Sequence, residues 1–124
     1  MRKRGSGWAF WKTLTLPCEA EDPLVDDVIH IVTDEKGGIL AGSNTRSVLF
    51  AVYRYLKLNG FRFLCPGAES EHIPKKPVTP QKYHKQADHR YRGHAIEGDP
   101  SLEQVLDYID WHDKYGMGNA AEIL

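Results

Sequence analysis

The chain is short of nearly everything that would label it at sight. It has two cysteines, Cys18 and Cys65, in 124 residues. That permits one disulfide and excludes the cross-linked framework of a small secreted domain. Cys65 ends an apolar run, so a buried thiol and a reducing, cytoplasmic setting are expected. Sixteen Lys and Arg stand against 17 Asp and Glu, a net charge of −1. Without a basic excess there is nothing to neutralise a phosphate backbone, and nucleic acid is not the expected partner. No apolar run approaches the roughly 20 residues of a membrane-spanning helix. A basic start, Arg2-Lys3-Arg4, precedes "GWAFWKTLTL". Lys12 interrupts that run and no small-residue cleavage pattern follows, so no signal peptide is expected.

Motifs for metals and nucleotides are missing as well. Neither HExxH nor CxxC occurs among the histidines His30, His72, His84, His89, His94 and His112 or the two cysteines. His89 and His94 straddle a predicted strand start at a spacing that sends their side chains to opposite faces. "GGILAG" lacks the glycine spacing of a phosphate loop. No metal and no cofactor are expected.

What is present is periodicity. Residues 1–23 have no clean period and read as an irregular N-terminus. "DVIHIVTD" alternates and is rich in β-branched residues, "EKGG" turns, and "ILAG" returns, which predicts a β-hairpin. Ser43, Asn44 and Thr45 are candidate caps for a helix whose apolar face is Val48, Leu49, Val52, Tyr55 and Leu56. Gly60 stops the helix, "FRFLC" follows as a strand, and Pro66-Gly67 terminates it. Tyr53, Tyr55, Phe61 and Phe63 offer aromatic faces for sugar stacking, though core is the commoner fate of such residues.

Residues 24–74 therefore predict a small α/β domain. Residues 75–88, punctuated by Pro77 and Pro80 and rich in lysine, read as a linker. From residue 89 a second pattern begins. Tyr91 to Glu97 suits a strand, with Asp99 and Pro100 then opening a helix. Its apolar face is Leu102, Val105, Leu106 and Ile109, it closes at Tyr115-Gly116, and "NAAEIL" starts another strand. Strand, helix, strand with short loops is the pattern of a parallel βα repeat. Such a repeat needs far more chain to close into a barrel of about 250 residues. Residues 89–124 are thus expected to be the truncated start of a (β/α) barrel. The fold class expected is α+β (α/β): a small mixed sheet with a hairpin–helix–strand unit, then the first βα segment of an incomplete TIM-type barrel.

The stretch "GGILAGSNTRSVLFAVYRYLKLNGFRFLCPGAESEHIP" resembles the small α/β domain that precedes the catalytic barrel in α-glucuronidases and β-N-acetylhexosaminidases, closest to uncharacterised bacterial relatives of those enzymes. Arg46-Ser47 stands where that pattern has Arg-Gly, and Ala51 where glycine is frequent. "RYRGHAIEGD" is similar to the first barrel strand of hexosaminidase-like enzymes. The resemblance places Arg92, followed by Gly93, where an arginine reaches the sugar, and Glu97 where an acidic residue follows five positions later. It implies a carbohydrate-active parent enzyme whose catalytic acids lie on later barrel strands, beyond this chain.

Glycoside hydrolysis usually needs two carboxyl groups, about 5–5.5 Å apart for retention or about 6.5–9.5 Å for inversion. Glu97, Asp99 and Glu122 are the acids near predicted strand ends, whereas Asp107, Asp110 and Asp113 recur at helical spacing as a solvated face. The expectation is a non-catalytic scaffold whose partner is carbohydrate through the parent protein. The alternative is a stand-alone carbohydrate-binding or protein-interaction module, self-associating through an exposed sheet edge.

Overall fold

The computed structural model describes residues 20–117 and the backbone of residues 122–123. Among the described residues ten elements follow from residue 28 onward, two of them helices of three turns or more. Strands β1 (Val28–Asp34) and β2 (Gly37–Gly42) form the expected hairpin, closed by the two residues Glu35 and Lys36. Asp34 shapes this turn, its carboxylate accepting the backbone N–H of Lys36 at 2.7 Å and of Gly37 at 3.0 Å. Helix α1 (Thr45–Leu58) follows, capped by Asn44, whose Oδ1 accepts the Ser47 N–H at 2.8 Å. Gly60, at φ +95°, ends it in the conformation a glycine adopts most readily.

The sheet differs from the expected one. It is antiparallel throughout, in the order β2-β1-β5, and its third strand is β5 (Lys82–Gln86), from the stretch read as a linker. The sequence "KYHKQ" hides a strand because Tyr83 is its only large apolar residue, and Tyr83 packs on the core. Its lysines suit an edge strand, where charge discourages pairing with another chain. "FRFLC", by contrast, contributes only β3 (Arg62–Phe63), paired with β4 (Glu71–His72) in a separate ribbon. Both the N–H and the C=O of Cys65 are taken by the Ser70 hydroxyl, which diverts the chain into a turn. Cys65 is exposed, not buried as expected.

The core between sheet and α1 contains Ile29, Ile31, Phe50 and Ala51, with Leu40, Tyr55 and Tyr83 packed around it. The buried face of α1 is thus rotated from the one the apolar residues suggest. Ser47, Phe50 and Ala51 face inward, while Leu49 is exposed. The cause is a close approach at the start of the helix. A Cβ at Gly42 would lie 2.5 Å from the Cβ of Ser47, so only glycine lets β2 and α1 meet there.

Strand β6 is confined to Ala95–Ile96 and pairs in parallel with β7 (Glu122–Ile123), flanking α2 (Leu102–Lys114). Parallel strands joined through a helix match the expected pattern. The helix starts later than Asp99-Pro100 suggests, because Ser101 and Gln104 form a capping box that satisfies two free backbone donors at once. Of its expected apolar face only Val105 is buried. Val105 and His112 are buried, and Trp111 and Tyr115 both donate to the Phe63 carbonyl, at 2.8 and 2.6 Å. Leu102, Leu106 and Ile109 stay 75%, 56% and 41% exposed. Trp111, half-buried, and Tyr115, 43% exposed, are tied to the β3 backbone by these hydrogen bonds, which fix the side of α2 that meets the rest of the chain. Among the described residues no helix is long and apolar enough to cross a membrane.

Candidate functional site

Two adjacent carboxylates at the head of β1 organise the chain's long-range polar contacts. Asp26 receives Arg90 in a two-pronged pair, Nε to Oδ1 at 2.6 Å and Nη2 to Oδ2 at 3.1 Å. Asp27, only 4% exposed, accepts from the Ser47 hydroxyl at 2.7 Å, Asn44 Nδ2 at 3.1 Å, Arg46 Nε at 3.1 Å and Arg92 Nη2 at 2.5 Å. Burial by itself would raise the Asp27 carboxyl. The bonds from Ser47, Arg92, Asn44 and Arg46 outweigh that and hold it below the usual carboxylate range. The backbone joins in, with the Ala87 N–H donating to the Asp27 carbonyl at 2.8 Å. The segment after β5 is thereby clamped to the sheet at three points.

Arg92 is where the resemblance places a sugar contact. Here its guanidinium faces inward: Nε donates to the Gly116 carbonyl at 2.9 Å, Nη1 to the His89 carbonyl and Nη2 to Asp27. Three of the five N–H donors of a guanidinium are thus engaged within the described chain. Glu97 lies just past β6, exposed and away from the cleft that Arg92 lines. The structure therefore does not bring Arg92 and Glu97 together. Asp99 is exposed and caps nothing, and the Glu122 side chain lies outside the described residues.

The cleft beside Arg92 has a volume of about 220 Å³. Ile29 and Phe50 give it apolar walls, Tyr115 an aromatic one, and Arg54, Lys57, Lys85 and Lys114 join Arg92 in a strongly cationic lining. Lys114 is held by Glu71 and Asp110, each at 2.6 Å. Burial would lower its pKa, but these two partners overcome that and raise it. Lys57 moves the other way. Burial, reinforced by Arg54 and Arg62, lowers its amine to about 8. Its Nζ sits 3.5 Å above the centre of the Tyr115 ring.

Sequence reasoning gives Arg54 and Lys57 no role, because charged residues on a helix are ordinarily assigned to water. The signal was available: Phe50, Arg54 and Lys57 are spaced i, i+4, i+7, so a buried Phe50 draws both cations to its side.

The cleft's carboxylates, Asp27 and Asp88, are committed to ion pairs, Asp88 with Lys85 at 3.0 Å. Neither is poised to deliver a proton, and the arrangement suits binding rather than glycoside hydrolysis. The histidines meet only in pairs. Nδ1 of His30 lies 3.2 Å from Nδ1 of His84, and His94 Nδ1 lies 2.7 Å from His112 Nε2. Among the described residues no three metal-type side chains gather. Compared with known proteins, the chain matches no family model, no curated protein and no solved structure.

Proposed function

We propose that this chain is a non-catalytic N-terminal portion of a glycoside-hydrolase-like protein, an α+β scaffold carrying the first βα segment of a TIM-type barrel. The observation that carries the reading is the β6–α2–β7 unit. Its strands pair in parallel, and α2 leaves Leu102, Leu106 and Ile109 in solvent. A parallel sheet is normally covered on both faces, so a unit of this kind is incomplete without further layers. On this reading the Asp26/Asp27 clamp fixes the barrel segment to the small domain. The partner is carbohydrate through the parent protein, with Glu97 exposed past β6 on the side where barrel active sites lie. Arg92 would reach substrate only with the donors that Asp27, His89 and Gly116 leave over.

The test is a panel of aryl glycosides. The 124-residue chain is expected to turn over none of them, and robust turnover by it overturns the proposal.

The same exposed aliphatic face favours a second reading, a stand-alone carbohydrate-binding or protein-interaction module that self-associates. Light scattering over a dilution series separates the two: a stable homodimer supports the module, and concentration-dependent aggregation supports the scaffold.

A further inference from the structure

The cleft beside Arg92 holds more positive charge than the described residues pair off. Lys85 is paired with Asp88, Arg92 with Asp27, and Lys114 with Glu71 and Asp110. Arg54 and Lys57 have no such partner among the described residues. Among the described residues no carboxylate forms an ion pair with either, and each lies over an aromatic ring instead. Arg54 Cζ is 5.3 Å from the centre of Tyr83 and Lys57 Nζ is 3.5 Å from the centre of Tyr115. The rings limit the orientations of both cations before any ligand arrives, which reduces the ordering cost of binding. The two residues are three positions apart on α1 and both line the cleft. Ile29 and Phe50 wall the same space, and apolar walls strengthen any ionic contact made against them.

We propose that this cleft binds one small oxyanion, a carboxylate or a phosphate group, received by Arg54 and Lys57. At about 220 Å³ it falls below the ≈ 300–1,000 Å³ usual for drug-sized ligands, which restricts the occupant to a small molecule or a single anionic group. Burial first, and then the charges of Arg54 and Arg62, lower the Lys57 amine, and a bound anion would raise it again. The site stands whether or not the chain belongs to a glycosidase, because it uses none of the features that support that reading.

The experiment is an amide NMR titration of the full chain with inorganic phosphate and, separately, with malonate, at ionic strength held constant with sodium chloride. Saturable shifts at Lys57, His89 and Gly116 are expected with at least one of the two anions. Saturation by phosphate alone identifies a phosphate site, by malonate alone a carboxylate site, and by both a site that reads charge. Each supports the proposal. Lys57→Met keeps an apolar stem over Tyr115 but removes the charge, and should weaken binding at least tenfold. No saturation with either anion, or saturation unchanged by Lys57→Met, overturns the proposal. Should the variant fold poorly, the wild-type chain still decides. After reductive ¹³C-methylation the Lys57 amine should titrate near 8 and shift upward with saturating ligand, and an amine unmoved by ligand also overturns it.

Discussion

Arg92 reaches back 65 residues to place its Nη2 2.5 Å from Oδ2 of Asp27. This pair joins the segment after β5 to the head of β1, and Arg90 with Asp26 repeats the device one residue earlier on the sheet and two on the segment. Two arginines two apart grip two consecutive aspartates and hold the segment after β5 against the head of β1.

Removing the Asp27 carboxylate should therefore unfasten both halves. Asp27→Ala strands the donors of Ser47, Asn44, Arg46 and Arg92 around a buried position. A loss of about 3–5 kcal/mol is expected by urea denaturation. A double-mutant cycle with Arg92→Met should return a coupling of roughly 1–3 kcal/mol, and additivity of the two changes would contradict the clamp.

Acid should act through the same carboxylate. The folded-state pKa of Asp27 lies below its ordinary 3.8, so the unfolded chain takes up the proton first as pH falls. The stability it contributes is full above 3.8 and is lost as pH drops from there through the lower folded value. Asp27→Asn should flatten this part of the acid denaturation curve, and an unchanged slope would exclude the residue as its source.

A second pH response is expected nearer neutrality. His112 is buried against His94, and burial, then the charge of His94, lowers its pKa from 6.5. A depressed histidine favours the folded state while neutral, so stability should fall as pH passes downward below 6.5. His30, lowered by burial and by His84, acts in the same direction. His112→Gln keeps a polar partner for His94 and should remove part of the slope, with the remainder assigned to His30 by His30→Gln. A wild-type chain with no loss of stability on acidification below 6.5 would contradict both.

Gly42 is expected to be irreplaceable where β2 meets α1. Its missing Cβ would lie 2.5 Å from Ser47 Cβ and 2.6 Å from the Val48 nitrogen. Gly42→Ala should cost roughly 1–3 kcal/mol as the helix start is pushed off the sheet, measured by thermal or urea unfolding.

The exposed side of α2 should behave oppositely. Leu106→Gln with Ile109→Gln changes residues that already face solvent, so stability should move by no more than about 0.5 kcal/mol for each. Association measured by light scattering should drop at the same time. A large loss of stability would mean that the face is packed in solution.

The hairpin, both helices and their stop signals were legible in the sequence because each rests on local chemistry. Examples are the two-residue turn after Asp34, the cap at Asn44 and the glycines at 60 and 116. What escaped was tertiary. Strand β5 carries one core residue, Tyr83, and therefore almost no periodic signal. The buried face of α1 is set by Ser47 beneath Gly42, and that of α2 includes the polar His112 and Lys114, which apolar counting does not weigh. For the site, the sequence singled out Arg92 as a sugar contact, and its bond to Asp27 escaped because that partner is 65 residues away. Arg54 and Lys57 were hidden for a simpler reason, since charged residues on a helix are ordinarily assigned to water.

The proposed role is tested most directly by reading the coding sequence beyond the Leu124 codon. The predicted result is a frame that continues, directly or after one shift, into repeated strand–helix units carrying a pair of carboxylates. A stop codon followed by unrelated sequence in every frame would contradict the scaffold and leave the cleft at Arg54 and Lys57 as the place where the chain acts.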